Sequence, residues 1–156
     1  MNSEVAARVT AFLDALHVMS LATLGPDGAQ AANLFYARDG FSLVWLSDPL
    51  SRHSLALEAD GRVSATIAPD YSDFGEIRGL QIAGDACLIA GEAAQRRAME
   101  LLQARYAFLK RLAAAAPLAE AVARAAPYRL VPRTIVMIDN TRGFGHKDTL
   151  EFVSSR

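Results

Sequence analysis

The spacing of apolar residues near the N-terminus predicts an amphipathic helix, and the segments after it predict a meander of strands. The helix is capped by Ser3 and buries one stripe, formed by Val5, Val9, Phe12, Leu13 and Leu16. Three extended segments follow, joined by turns at 25–28 and 39–40, namely residues 17–24, 29–38 and 41–46. Turns this short join antiparallel neighbours.

The middle of the chain predicts a short helix and two more strands. Pro49 ends the third strand, and Ser51 can cap a helix that stops near residues 60–61. Residues 63–67 alternate between apolar and polar and predict a strand. The next strand, 77–90, is expected to bury one face, formed by Leu80, Ile82, Ala86 and Leu88. Gly79 and Gly84 lie within it, which indicates a bend or a close backbone approach.

The second half of the chain predicts helices before a last strand. A helix begins near Glu92, with an inward stripe formed by Met99, Leu102, Tyr106, Leu109 and Ala113. Pro117 interrupts it, and residues 118–125 predict another short helix. The strand at 128–139 is apolar on both faces at its centre, as in a covered sheet. About six strands with helices between them favour a mainly β (α+β) fold, an antiparallel barrel with flanking helices.

Composition narrows the classes of protein to which the chain can belong. A chain of 156 residues that is 52% hydrophobic suits a single domain spanning 1–156. Its net charge of −1 argues against nucleic acid as a partner. The absence of a long apolar run argues against a membrane span or a secretory signal, so we expect a cytoplasmic protein. Its one cysteine, Cys87, is expected to be buried on a strand.

The candidate chemistry lies where the third strand turns into the short helix. Ser51, Arg52 and His53 follow one another at the predicted helix start. Free N–H groups at a helix N-terminus attract anions, and a guanidinium can bind a phosphate through two parallel hydrogen bonds. These residues therefore predict an anion site, although an ordinary capped surface helix has the same residue types.

Several segments, in this order, resemble the pyridoxamine 5'-phosphate oxidase-like FMN-binding split barrels. The segment MSLATLGPDGAQAAN resembles the opening hairpin of that family, and LSDPLSRH followed by GRVSATI resembles its phosphate turn and the next strand. IRGLQIAGDA resembles its long strand, and DNTRGFGHK resembles the YhbP-like bacterial branch. The resemblance covers residues 17–147 and implies a six-stranded antiparallel split β-barrel that binds FMN.

The resemblance also implies roles for particular residues. The flavin phosphate would lie at Ser51, Arg52 and His53, and the ring and ribityl chain would lie beside Leu46 and Ser47. The isoalloxazine would face the backbone of Asn33, Leu34, Phe35 and Tyr36. Such barrels form homodimers with the cofactor between subunits, so a second copy would supply Arg78, Gly79, Leu80 and Gln81.

His53 departs from the family pattern, which commonly has lysine at this position. A neutral imidazole brings no full charge to a phosphate. Phosphate binding is therefore expected to tighten below about pH 6.5, the ordinary pKa of histidine. The second ionisation of the phosphate near pH 6 opposes this trend, so the net sign is open.

The segment 143–147 has two interpretations. It is either a flexible tail or a turn ordered by Asn140, in which Phe144 contacts the partner subunit while His146 and Lys147 line the mouth of the pocket. The spacing of the histidines matches no metal motif, and we predict no metal site.

The sequence contains no evident nucleophile–base pair or hydrolase motif, which suits a protein whose cofactor carries the chemistry. The leading hypothesis is an FMN-dependent oxidoreductase that acts on a small organic molecule. A second hypothesis is a flavin-binding or carrier protein without turnover. A third is a haem-binding split barrel, with His17, His53 or His146 as the axial ligand.

Overall fold

The computed structural model describes residues 2–112, 120 and 122–152. The helices of more than one turn are α1 (Ser3–Ala15), α2 (Arg52–Ala59), α3 (Glu92–Arg105) and α4 (Ala107–Leu112). The strands are β1 (Val18–Gly25), β2 (Gly28–Phe35), β3 (Ala37–Asp39), β4 (Ser42–Ser47), β5 (Arg62–Ile67), β6 (Arg78–Leu88), β7 (Ala126–Asp139) and β8 (Lys147–Glu151). Short 3-10 turns lie at Phe74–Glu76 and Asn140–Arg142.

The strands of the described residues form one antiparallel sheet of eight, in the order β2-β1-β5-β6-β7-β4-β3, and β8 pairs with β7. Strands β2 and β3 follow each other in the chain with only Tyr36 between them. Strand β2 pairs with β1, whereas β3 pairs with β4 at the other end of the order. The chain thus links both ends of the sheet, which curls into a half-open barrel.

The antiparallel, mainly β fold with flanking helices is confirmed, but the number of six strands is wrong. The predicted strand 29–38 is divided at Tyr36 into two strands, because the chain changes its pairing partner there. Strand β8 was not predicted, since Leu150 is the one apolar residue in its sequence KDTLE. The outward-facing positions of an edge strand are commonly polar, which hides such a strand from a hydrophobic pattern.

Helix α1 closes one end of the barrel. Its cap is Asn2 and not Ser3, because the Asn2 side chain accepts the N–H of Glu4 at 3.1 Å and Ser3 is already helical. Val5, Val9 and Leu13 are buried in the barrel core. The predicted apolar stripe therefore does bury this helix against the strands.

Two apolar clusters fill the fold. The larger one lies inside the barrel, where Trp45 is fully buried and stacks on Tyr128 with ring centroids 5.7 Å apart. The smaller one lies between the sheet and α3 and includes Val44, Ala98 and Leu102. The fold thus buries β4 on both faces, since Val44 and Trp45 alternate along it and both are inaccessible to solvent.

Several detailed predictions are wrong. Cys87 was expected to be buried but is exposed, because its side chain lies on the outward side of β6. Leu88 was also expected to be buried but is 49% exposed at the end of that strand. The helix that begins at Glu92 does not continue through Tyr106, which ends α3 and separates it from α4. The predicted break at Pro117 and the inward position of Ala113 lie outside the described residues, as do parts of the predicted helix 118–125.

Two neighbouring rows of side chains cross the outside of the sheet and are named the outer face here. Their members, in register from β2 to β8, are Asn33, Ser20, Thr66, Gln81, Val136 and Thr149, followed by Ala31, Ala22, Ser64, Ala83, Thr134 and Glu151. Glu151, at the rim, is the one charged residue among them. The outer face is therefore a broad surface of small, mostly uncharged side chains.

Candidate functional site

The junction of β4 and α2 is held by hydrogen bonds within the turn. The N–H of Leu50 donates to Oδ1 of Asp48 at 2.8 Å, and the N–H of Ser51 donates to the carbonyl of Asp48 at 2.9 Å. Ser51 then caps α2, with its hydroxyl accepting the N–H of Ser54 at 3.4 Å. These bonds fix the position at which the helix begins, and the predicted cap at Ser51 is confirmed.

The His53 side chain is hydrogen-bonded to the turn between β4 and α2. Its Nε2 atom lies 3.1 Å from Oγ of Ser51 and also bonds the hydroxyl of Ser47, which is 8% exposed at the end of β4. Burial lowers the pKa of His53 below the ordinary histidine value. The imidazole is therefore neutral near pH 7 and orients two hydroxyl groups instead of supplying a positive charge.

Arg52 is the cation of the junction. Its guanidinium makes no ion pair or hydrogen bond with the described residues, and it lines an open cavity of about 430 Å3 together with His53 and residues 29–32 of β2. The N–H groups of Arg52 and His53 belong to the first turn of α2, where no intrahelical acceptor exists. The charge of Arg52 and the start of α2 therefore border the same space beside β2.

The barrel is split between β2 and β4. The pairing of β3 with β4 stops at Ala37 and Val44. Continued by two and three residues, the same register would bring Phe35 opposite Leu46 and Leu34 opposite Ser47, but there β2 pairs with β1 instead. The predicted site residues of β2 and β4 thus lie on the two sides of this split.

The other predicted site residues divide between two faces. Asn33, Phe35, Gly79, Gln81 and Lys147 lie on the outside of the sheet. The side chains of Leu34, Tyr36 and Leu80 point into the barrel, and Leu46 contacts the cluster beneath α3. Because these four side chains pack in the two apolar clusters, only their backbone atoms are available to a ligand on the outside of the sheet.

Arg78 belongs to a different cavity, between α1 and the ends of β6 and β7. It lines about 380 Å3 of space with Arg8, Phe12 and Tyr71, and this cavity shares no lining residue with the one at Arg52. Arg78 precedes Gly79 on β6, so its side chain points to the opposite side of the strand from the outer face.

The turn before β8 is ordered. The N–H of Gly145 donates to Oδ1 of Asn140 at 3.0 Å, and Nδ2 of Asn140 donates to the carbonyl of Phe74 at 2.7 Å. Phe144 is 83% exposed and meets the Phe74 ring edge-on. The predicted ordering role of Asn140 is confirmed, and the flexible-tail interpretation is wrong for this segment.

His146 belongs to a charged network that the sequence did not predict. Its Nε2 lies 3.1 Å from Asp148, and Arg8 donates to both Asp148 and Asp139 at 2.6 Å. The hydrogen bond from Arg8 lowers the pKa of Asp148. Burial alone would raise the pKa of Asp139, but hydrogen bonds from Thr141 and the charge of Arg8 lower it overall. The members lie up to 140 residues apart in sequence, and no local motif announces them.

None of the helices in the described ranges reaches the length and hydropathy that a bilayer crossing requires. Within the same ranges, no three histidine, cysteine, aspartate or glutamate side chains converge as metal ligands. The candidate site at the junction of β4 and α2 therefore consists of one arginine, one neutral histidine, two hydroxyl groups and the free backbone donors at the start of α2.

Known proteins have a similar sequence or a similar fold. The chain is 32% identical over 148 residues to a UPF0306 protein of Serratia proteamaculans, covering 94% of each chain. A conserved hypothetical protein of Mycobacterium tuberculosis superposes with a TM-score of 0.72 at 22% identity, covering 99% of this chain and 93% of that one. A heme binding protein of Mycobacterium smegmatis superposes with a TM-score of 0.73 at 22% identity, over 94% of this chain and 57% of that one.

The family comparison covers most of the chain, including both sides of the split and the Arg52 junction. Residues 5–142 match the model of the family described as pyridoxamine 5'-phosphate oxidase. The chain therefore belongs to the pyridoxamine 5'-phosphate oxidase family.

Proposed function

We propose that this protein binds FMN, with the flavin phosphate at Ser51, Arg52 and His53, and uses it as an oxidoreductase on a small organic molecule. The observation that carries the proposal is the guanidinium of Arg52. It faces an open cavity without an acceptor among the described residues, next to the free N–H groups of the α2 start. A phosphate would satisfy both kinds of donor.

The surroundings of Arg52 also suit the flat part of a flavin. Residues 29, 31 and 32 of the cavity wall are alanines, which leave room for a planar ring beside the edge of β2. Ser47 and Ser51 add hydroxyl groups that His53 holds in place. These residues bind and orient, while bound FMN supplies the redox chemistry.

A homodimer is part of the proposal. The outer face is broad and carries one charged residue, Glu151, and depletion of charged residues is typical of the core of a subunit interface. A second copy docked there would bring its own Gly79 and Gln81 towards the split of the first. The cofactor site would then be complete only in the dimer.

The proposal is tested by the absorption spectrum of the purified protein and by FMN titration. We expect visible flavin bands and a dissociation constant that rises about tenfold or more in Arg52→Ala, because charge-assisted bonds to the phosphate are lost. Arg96→Ala is the matched control, since Arg96 is an exposed arginine on α3 far along the chain from the junction. Equal FMN affinity in the two variants would contradict the proposal.

Reduction separates an oxidoreductase from a carrier. Addition of NADH or NADPH to the flavin-loaded protein should bleach the flavin bands if the protein takes up electrons for catalysis. Bound flavin that stays oxidised with both donors would leave the carrier hypothesis in its place.

Haem binding is the second candidate. A heme binding protein of Mycobacterium smegmatis shares the fold. His17 is exposed and makes no side-chain hydrogen bond with the described residues. The centroid of its ring lies 6.0 Å from that of Tyr106. Its nitrogens are therefore free to act as an iron ligand. A Soret band that forms with added haemin and is lost in His17→Ala would favour this function over the flavin.

A further inference from the structure

A second cavity lies on the other side of Arg52 and continues from the first. It encloses about 580 Å3, against about 430 Å3 for the cavity beside β2. Arg52 and Gln30 line both cavities, so these two side chains form the boundary between them. The second cavity runs from this boundary along the 25–28 turn and the exposed side of α2.

The walls of this second cavity are apolar beyond Arg52. Leu24 at the end of β1 and Leu55 on α2 are 50% and 49% exposed, and both line it with Pro26 and Ala59. Asp27 adds a carboxylate at the turn. Two half-exposed leucines on separate elements that border one concave space form a surface suited to a flat apolar group.

Gly25 allows the boundary to form. A Cβ atom built on Gly25 would collide with Nε2 of Gln30, so a side chain at this position would displace Gln30 from the space between the cavities. The glycine therefore keeps an amide group beside Arg52, where it can donate a hydrogen bond to the same anion.

We infer that the flavin site at Arg52 also accepts a dinucleotide, flavin adenine dinucleotide, whose adenosine half occupies the second cavity. The inference rests on the proposed flavin function. The five N–H donors of a guanidinium can bond two linked phosphates, and Arg52 stands where the chain of a ligand must pass from one cavity to the other. The adenine ring would lie on Leu24 and Leu55, and the carboxylate of Asp27 would accept a hydrogen bond from the ribose or the adenine amino group.

The test compares riboflavin, FMN and FAD by titration of the parent protein and of Leu55→Glu. In the parent, we expect FAD to bind at least as tightly as FMN, and riboflavin to bind weakest. In Leu55→Glu, the dissociation constant of FAD should rise about tenfold, because a carboxylate replaces the apolar wall, while that of FMN should change less than about twofold. FMN binding by the variant also shows that it is folded.

Leu88→Glu is the matched control, because Leu88 is also 49% exposed but lines neither cavity. It should leave the affinities for both flavins unchanged. FAD that binds more weakly than FMN to the parent, or an equal loss of both flavins in Leu55→Glu, would overturn the inference and leave the FMN proposal standing. Failure of all three flavins to bind the parent would overturn both.

Discussion

The Nε2 atom of His53 lies 3.1 Å from the hydroxyl of Ser51, two residues earlier in the chain. The same nitrogen bonds the hydroxyl of Ser47, so one imidazole joins the end of β4 to the start of α2. His53 therefore stabilises the turn between β4 and α2. This role differs from that of the lysine for which it stands in the family pattern, since a lysine would offer its charge directly to the ligand.

A neutral His53 should leave the pH dependence of the proposed FMN binding unaffected by this residue near neutral pH. Burial lowers the pKa of His53 below the ordinary histidine value of about 6.5, so the imidazole is mostly neutral between about pH 8 and 7. Over that range, the FMN dissociation constants of the parent and of His53→Asn should change in parallel. Fluorescence titration at several pH values checks this, and a gain in affinity confined to the parent between pH 8 and 7 would contradict it.

The ion pairs of Arg8 should stabilise the fold most at neutral pH. Asp139 is 6% exposed, and Arg8→Met would remove its cationic partner, so we expect a loss of about 2 kcal/mol in the free energy of unfolding at pH 7. The pKa values of Asp139 and Asp148 are lowered in the folded state. Their contribution is therefore present above the unfolded pKa of about 3.9 and is lost as the pH falls through the folded values.

Denaturant unfolding at pH 7 and pH 3 measures this difference. The gap between the parent and Arg8→Met should be smaller at pH 3 than at pH 7, because the unfolded carboxyl groups, with a pKa of about 3.9, take up protons over this range. Arg96→Met, on the exposed side of α3, is the control and should stay within about 0.5 kcal/mol of the parent at both pH values. A gap that grows on acidification would show that the carboxylates are not the partners that matter.

Gly84 should tolerate no side chain. It lies at the register shift between β6 and β7, where an added Cβ would collide with the carbonyl oxygen of Val131 and lie 3.0 Å from Cα of Pro132. Because both obstacles are backbone atoms, Gly84→Ala should cost about 2–4 kcal/mol in the free energy of unfolding. Gly75→Ala, which would meet the Asp73 side chain at 3.2 Å, should change it by less than about 0.5 kcal/mol.

A charge on the outer face should separate the subunits of the proposed homodimer. Ala83 is exposed at the centre of this face, so Ala83→Glu would bury an unpaired carboxylate in each subunit of the dimer. Sedimentation velocity should then show a dimer for the parent and a monomer for the variant. Ala93→Glu, in the first turn of α3, should remain dimeric, and a dimeric Ala83→Glu would place the interface elsewhere.

The sequence predicted the parts of this molecule that depend on local pattern. The stripe of α1, the alternation in β5 and the hydroxyl cap of α2 all follow from residues within one or two turns of each other. The candidate anion site could be predicted from the sequence for the same reason, because Ser51, Arg52 and His53 are consecutive. Neighbouring residues in the sequence are enough to predict which hydrogen-bond donors lie at the start of a helix.

The rest depends on contacts between distant segments. Nothing in the sequence around Arg8 shows that it meets Asp139 and Asp148, and nothing around Arg78 shows that α1 covers its side of the strand. The second cavity needs the turn and α2 side by side, and only the fold brings them together.

Tyr36, the residue between β2 and β3, has a consequence for the shape of the cleft. Its hydroxyl donates to the carbonyl of Leu13 in α1 at 2.8 Å, and its own carbonyl accepts a hydrogen bond from Tyr106 at the junction of α3 and α4. Helix α1 and the junction of α3 and α4 therefore both hold Tyr36, the residue at which the chain passes from one side of the barrel to the other. A shift of α1 relative to α3 would therefore act on Tyr36 from two sides and change the separation of β2 from β4.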